Sequence, residues 1–116
     1  MSGRFSLART FGRRLEFDTI DDLMSESIET HRVVFHGRVQ GVGFRWTTRR
    51  VAKRFPVTGY VKNHADGTVE LLVQGTSEAI SGVILAVLEA MAANITDHVD
   101  DRVESDERFD RFRIQR

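Results

Sequence analysis

Two stretches of this chain place apolar residues at helical spacing, and each presents only one apolar side. Phe44, Thr48, Val51, Ala52 and Phe55 fall at i, i+4, i+7, i+8 and i+11, which is one face of a helix. Arg45, Arg49 and Lys53 form a charged stripe beside that face, and Pro56 stops the helix. Ile80, Val83, Ile84, Val87, Leu88 and Met91 give a second helix with a wider apolar stripe. Gly82 inside it costs about 1 kcal/mol against Ala. A helix with one apolar face needs one apolar layer to cover, and the segments around these two helices read as strands.

Arg32–Arg38 contains the β-rich run Val33-Val34-Phe35 and is ended by Gly37. Val57–Asn63 and Thr68–Gln74 form a strand pair, the second alternating Val69, Leu71 and Val73 inward against Glu70, Leu72 and Gln74. His64-Ala65-Asp66-Gly67 joins them, and Asp66-Gly67 is a strong hairpin signal. Asp97–Glu107 is polar and reads as an irregular strand or connection; Phe109–Gln115 closes the chain as a strand. The order is β-α-β-β-α-β, with room for one extra strand near the C-terminus. This predicts an α+β, ferredoxin-like split β-α-β sandwich, an antiparallel sheet with two helices on one face.

At 116 residues the chain fits one domain, and 41% apolar content suffices for one core. Residues 1–30 read differently from the rest. The first fourteen carry Arg4, Arg9, Arg13 and Arg14 and no acid, whereas the next sixteen carry acids and no base. The expectation is a disordered N-terminal extension over 1–30 and a folded domain over 31–116. An organelle transit peptide and translation from Met24 are alternatives for the extension. The 17 basic and 17 acidic residues balance, so composition gives no case for a nucleic-acid or membrane partner. With no Cys, thiolate metal sites and cysteine nucleophiles are excluded. The lack of Cys also fits the expected cytoplasmic location. The longest apolar run falls well short of the roughly 20 residues of a membrane span.

Gly37-Arg38-Val39-Gln40-Gly41-Val42-Gly43-Phe44-Arg45 carries the chemistry. A loop with three glycines runs into a helix and delivers Arg45 in its first turn. Such a loop turns backbone N–H groups toward one point, beside the positive end of the helix dipole, and makes an anion site of phosphate size. It is not a nucleotide P-loop, because no Lys-Ser/Thr follows, nor a dinucleotide fingerprint, because Trp46 stands where the third Gly belongs.

This segment, followed by Gly59-Tyr60-Val61-Lys62-Asn63 and Asp66-Gly67-Thr68-Val69-Glu70, resembles the acylphosphatases over about residues 31–116. The resemblance implies a small ferredoxin-like enzyme, without metal or other cofactor, that hydrolyses the carboxyl–phosphate bond of acyl phosphates. It implies that Arg45 binds phosphate, that Asn63 positions the attacking water, and that the amides of Arg38, Val39, Gln40, Gly41 and Val42 hold the phosphate. The partner it implies is a small acyl phosphate, and a monomer is expected. Tyr60 replaces a frequent Trp of the family, and Phe55-Pro56-Val57 replaces a more usual Leu-Gly-Leu; neither change touches Arg45 or Asn63.

Two rival readings exist. One is a non-catalytic acylphosphatase-like module that binds phosphate or carbamoyl phosphate within a larger maturation protein; no zinc-finger motif or fusion partner accompanies the domain. The other is an RNA-binding sheet, which needs paired aromatic residues on its central strands that Val33-Val34-Phe35 and Leu71-Leu72-Val73 lack. His31, His36, His64 and His98 have no metal-ligand spacing and read as surface or strand residues, His64 lying near Asn63. Trp46 and Tyr60 read as packing residues. The acids of Asp97–Glu107 read as a solvated edge, since no calcium loop contains them.

Overall fold

The computed structural model describes residues 27–116. Its elements are β1 (Glu29–Gly37), α1 (Phe44–Ala52), β2 (Thr58–Asn63), β3 (Val69–Gly75), α2 (Ser77–Ala90), β4 (Ile95–Val103) and β5 (Phe112–Gln115). The expected extension and the start at Met24 lie outside the described residues, except that Glu29 and Thr30 already belong to β1.

The five strands form one sheet in the order β4-β1-β3-β2-β5. β3 sits at the centre and runs antiparallel to both β1 and β2. β1 and β2 therefore point the same way. The prediction of an antiparallel sheet needs one correction, because β5 pairs with β2 in parallel. The reason is the route of the chain. β4 lies at one edge and β5 at the other, so the segment between them crosses the sheet before β5 begins. It crosses the face that carries no helix, and Gln74 fastens it there. Gln74 Nε2 donates to the Glu107 carbonyl at 2.6 Å and to Thr30 Oγ1 at 3.0 Å, and its Oε1 accepts from Phe109 N–H at 3.1 Å. Phe109 then meets Tyr60 edge-on, ring centroids 5.9 Å apart.

This strap explains why all seven residues of β3 are buried, where alternation predicted one inward face. Val69, Leu71 and Val73 face the helices and join Val33, Phe35, Val61, Phe44, Ile80, Val83 and Val87 in one core. Glu70, Leu72 and Gln74 are shielded on the opposite face by neighbouring strands and the strap. Asp97–Glu107, read as an irregular strand or connection, is strand as far as Val103, within the edge strand β4 (Ile95–Val103), which is antiparallel to β1 with a register shift between His36 and Gly37.

α1 covers β2 and β5 and packs against α2, which covers β3. α1 ends at Ala52, before Phe55, although Phe55 still packs on the core. Pro56 disfavours helical backbone at the preceding residue, and the last turn tightens, with Arg54 N–H on the Val51 carbonyl and Phe55 N–H on the Ala52 carbonyl. α2 starts on Thr76, whose side chain caps the helix by accepting from Ala79 N–H at 3.1 Å.

Gly82 has a reason that helix propensity alone does not reveal. The Phe55 ring lies against it, so closely that a Cβ at Gly82 would stand 2.4 Å from Phe55 Cε1. Overpacking there costs about 1–3 kcal/mol, against about 1 kcal/mol gained by leaving Gly. Gly82→Ala should therefore lower stability in chemical denaturation by about 1 kcal/mol. In a Phe55→Ala background the same change should raise it, and stabilisation by Gly82→Ala in the native background would show that the ring yields freely.

Candidate active site

Three strand ends meet at one end of the sheet. Val69 pairs with Phe35 on one side and Asn63 on the other, so the end of β2 is level with Phe35, two residues before β1 ends at Gly37. The register of β5, with Gln115 opposite Lys62, brings Arg116 level with Asn63. Asn63 continues the alternation of Gly59 and Val61 and so lies on the helix side of the sheet, where α1 begins. A cavity of about 200 Å³ opens there, lined by Val39, Gly41, Gly43, Phe44, Arg45, Trp46, Asn63, Ile114 and Arg116.

The loop between β1 and α1 has the form of an anion nest. Gly41 and Gly43 adopt φ of 76° and 78°, left-handed backbone that Gly reaches without penalty. Gly43 is the N-cap of α1 and so supplies no capping side chain, and the first turn contains no acid. The helix thus begins with its N–H groups and positive dipole end uncompensated by the protein. The N–H groups of Val39 through Gly43 also find no backbone acceptor among the described residues. Arg45, half-buried in the first turn, is in no ion pair among the described residues.

The predicted residues divide. Val39, Gly41, Arg45 and Asn63 come together around the cavity; Arg38, Gln40 and Val42 do not line it. Arg38 N–H is bonded to the Asn94 carbonyl at 2.9 Å, which ties the loop to the segment after α2. Val42 is an exposed side chain at the loop tip. The side chain of Gln40 turns away from the cavity and donates from Nε2 to two carbonyls, His64 at 2.7 Å and Thr68 at 2.9 Å. Those carbonyls flank the β2–β3 hairpin turn, which is closed by His64 N–H on Thr68 O and by Thr68 N–H and Oγ1 on Asp66 Oδ1. Gln40 therefore fastens the glycine loop to the strand end that carries Asn63. Its long side chain with two donors was the only sequence signal for this.

Beneath the hairpin, Glu70 gathers three donors. His64 Nε2 lies 2.6 Å from Oε1; Arg32 Nε and Tyr60 Oη donate to Oε2 at 3.0 and 3.2 Å. Burial pushes the Glu70 carboxyl up, but the hydrogen bonds from His64, Arg32 and Tyr60 outweigh it and hold the group below the usual carboxylate range. Tyr60, read as a packing residue, is part of this network, and the same burial and carboxylate raise its phenol above the ordinary value. Trp46, also read as packing, is 58% exposed at the cavity rim, with Arg50 5.2 Å from its ring centroid. Sequence reasoning also missed Ile114 and Arg116 as cavity residues, because only the parallel pairing of β5 brings them there. Among the described residues no three His, Cys, Asp or Glu side chains cluster as a metal site, and no helix is long and apolar enough to cross a membrane.

A cavity ringed by a glycine-rich loop, an uncapped helix start, Arg45, Arg116 and Asn63, set on a split β-α-β sheet, has the form of a small anion site. The acylphosphatase family model matches residues 31–114. The chain is 45% identical over 92 residues to an acylphosphatase of Rhizobium etli, covering 78% of this chain and 98% of that protein. It is 44% identical over 81 residues to one of Salinibacter ruber, covering 69% and 85%. Among solved structures, the acylphosphatase of Bacillus subtilis aligns with a TM-score of 0.69 at 33% identity, covering 78% of this chain and 100% of that one. The chain belongs to the acylphosphatase family and is a hydrolase of that class.

Two expectations follow from the contacts. Gln40→Met keeps length and removes both donors, so it should cost about 1–3 kcal/mol in thermal denaturation and lower turnover as the loop loosens from Asn63. Unchanged stability and turnover would mean that the loop holds itself. An unfolded glutamate titrates near about 4.3 and folded Glu70 titrates lower. Its stabilisation is then complete above the unfolded value and is lost as pH falls through the folded one. Glu70→Gln should be less stable than the parent at pH 7, with the gap closing in acid; a gap independent of pH would contradict the ionic role.

Proposed function

We propose that this chain hydrolyses the carboxyl–phosphate bond of acyl phosphates to a carboxylate and inorganic phosphate, with Arg45 and the loop amides binding the phosphoryl group and Asn63 positioning the water. The observation that carries this reading is the convergence of an uncapped helix start, unpartnered loop N–H groups, Arg45 and Asn63 on one cavity.

The residues suffice for this chemistry because the leaving group asks for little. A carboxylate, whose conjugate acid has a pKa of roughly 4, departs without being protonated. Phosphoryl transfer is otherwise positioning and charge stabilisation. The planar Arg45 guanidinium grips two phosphoryl oxygens as a fork, and the loop amides hold oxygens where negative charge is concentrated. Asn63 accepts a hydrogen bond from water through its side-chain carbonyl and donates from its NH₂ to the substrate. The water oxygen forms the new bond to phosphorus, the bond to the acyl oxygen breaks with its electron pair leaving on the carboxylate, and the water's proton passes to the phosphoryl oxygens or to solvent. Among the loop residues, Val39, Gly41 and Gly43 line the cavity, and the Arg38 N–H, bonded to the Asn94 carbonyl, anchors the loop. The reading includes a metal-independent reaction, a monomeric cytoplasmic enzyme, and the residues before β1 as an extension to the catalytic domain.

Phosphate release from an aryl acyl phosphate, with and without chelator, tests the activity. Loss of activity on chelation, or equally fast cleavage of alkyl phosphate monoesters, would contradict it, since an alkoxide needs an acid to protonate it. Arg45→Lys should lower turnover by about 10²-fold or more while the fold is retained, because a point charge replaces a fork. Asn63→Ala should lower turnover while phosphate affinity is kept, the behaviour of a group used in the transition state. Equal losses in rate and affinity would make Asn63 a phosphate ligand instead.

A further inference from the structure

Among the described residues β4 alone covers the outer edge of β1, and its two halves are held differently. At its start, Ile95 packs against the core, and the carbonyl of Asn94 just before it accepts from Arg38 N–H. The second half has no such anchor. Val99 is exposed, Val103 lies outside the core, and the residues level with core-facing Phe35 and Val33 are His98 and Asp100. Besides the backbone ladder, a row of side chains with alternating charge ties this half to β1. His31 Nδ1 lies 2.7 Å from Asp100 Oδ1, and His31 Nε2 lies 2.9 Å from Glu29 Oε1. Glu29 Oε2 in turn lies 3.6 Å from Arg102 Nη1. Glu29 and His31 belong to β1, Asp100 and Arg102 to β4, so the row clips one strand to the other.

A neutral imidazole offers one N–H and one lone pair, whereas an ionised carboxylate only accepts. Both ring nitrogens of His31 face carboxylate oxygens, so the arrangement is that of an imidazolium donating from each. Loss of the proton breaks one of the two bonds and turns a lone pair toward a carboxylate. It also leaves Glu29 and Asp100 with Arg102 as the one cation of the row. We propose that His31 is the pin of a proton-controlled clasp on the sheet edge: with the ring charged, residues 99–103 stay on β1, and with the ring neutral they open. The opening is bounded by the Asn94 contact on one side and, on the other, by Gln74, which holds the Glu107 carbonyl and the Phe109 N–H. It bares the backbone edge of β1 from Thr30 to Val34, on which a further strand can pair.

Burial opposes the charge on His31, but its hydrogen bonds to Glu29 and Asp100 outweigh that and hold the ring above its ordinary value. The clasp is then complete below the unfolded value of about 6.5 and is lost as pH rises through the higher folded one. Arg102, directly opposite His31, opposes the charge and is drawn to Glu29 instead. On the other side His31 faces uncharged Val73 of β3. The charged residues of α2, Glu78 and Glu89, are exposed and not bonded to the ring. Two further histidines border β4. His98 stacks on Phe35, and His36 lies opposite Asp97.

Amide hydrogen exchange on the full chain tests this, read as protection factors so that the pH dependence of intrinsic exchange drops out. Between about pH 5.5 and about pH 9, which brackets histidine titration, protection over residues 99–103 should fall by about three- to tenfold. Protection of β2 and β3 should hold. His31→Gln does not titrate, so it should show at both pH values the lower protection that the parent shows at the higher one. Asp100→Asn, which removes the partner on β4 and keeps His31, should also lose the pH dependence. Ring ¹⁵N shifts of His31 give a second reading: both nitrogens protonated in acid, with a midpoint that drops in Asp100→Asn. Protection over residues 99–103 that is independent of pH in the parent overturns the clasp. A pH-dependent loss that survives in His31→Gln belongs to His36 or His98 and overturns it as well, as does a loss shared equally by β2 and β3.

Discussion

The site depends on three strands that run the same way. β1, β2 and β5 end on one side of the sheet because β3 lies antiparallel between the first two and β5 joins β2 in parallel. Residues far apart in sequence, Phe35, Asn63 and Arg116, are thereby brought to one level. The pairing of Val69 with both Phe35 and Asn63 sets that level by backbone hydrogen bonds, which fix register strongly where one face is buried. No long or mobile segment is needed to assemble the pocket.

Within this frame the molecule divides its polar groups by task. Gln40, Thr68, His64, Glu70, Arg32 and Tyr60 satisfy one another and join the glycine loop to the hairpin and the hairpin to the sheet. The loop amides and the start of α1 are left without protein partners. A helix that begins on Gly, with no acid in its first turn, forgoes a few tenths of a kcal/mol from a cap side chain and about 0.3–1 kcal/mol from the missing negative charge, which an anion seated there restores. Stability and function therefore draw on adjacent but separate sets of hydrogen bonds, and substitutions in the two sets should be separable experimentally.

The layers of this fold were legible from periodicity. The stripes of α1 and α2, the alternation of β3 and the Asp66-Gly67 turn each appear where local pattern places them, because each is decided by neighbours in sequence. The features that escaped are those decided across the chain. The parallel pairing of β5 depends on the strap that Gln74 holds over the open face, and nothing in Phe112–Gln115 encodes a direction. Gly82 reads as a weak point in a helix until Phe55 is seen against it. For the site, the glycine loop, Arg45 and Asn63 were recognisable as a motif. Gln40 belonged to that motif, but its side chain acts on a carbonyl pair 24 and 28 residues away. A net charge of zero likewise concealed the acids Asp97, Asp100 and Asp101 on the edge strand β4 and the bases Arg111, Arg113 and Arg116 along the opposite edge at β5.

The central claim is that an anion is held by the free amides of the loop and by Arg45. Titration of the ¹⁵N-labelled chain with inorganic phosphate tests it most directly. The account predicts saturable shifts concentrated in the amides of Val39 through Gly43, in the first turn of α1 and in the Arg45 guanidinium, with little change along β4. Shifts confined to β4 and the segment after it, or no saturable response in the loop, would contradict the account.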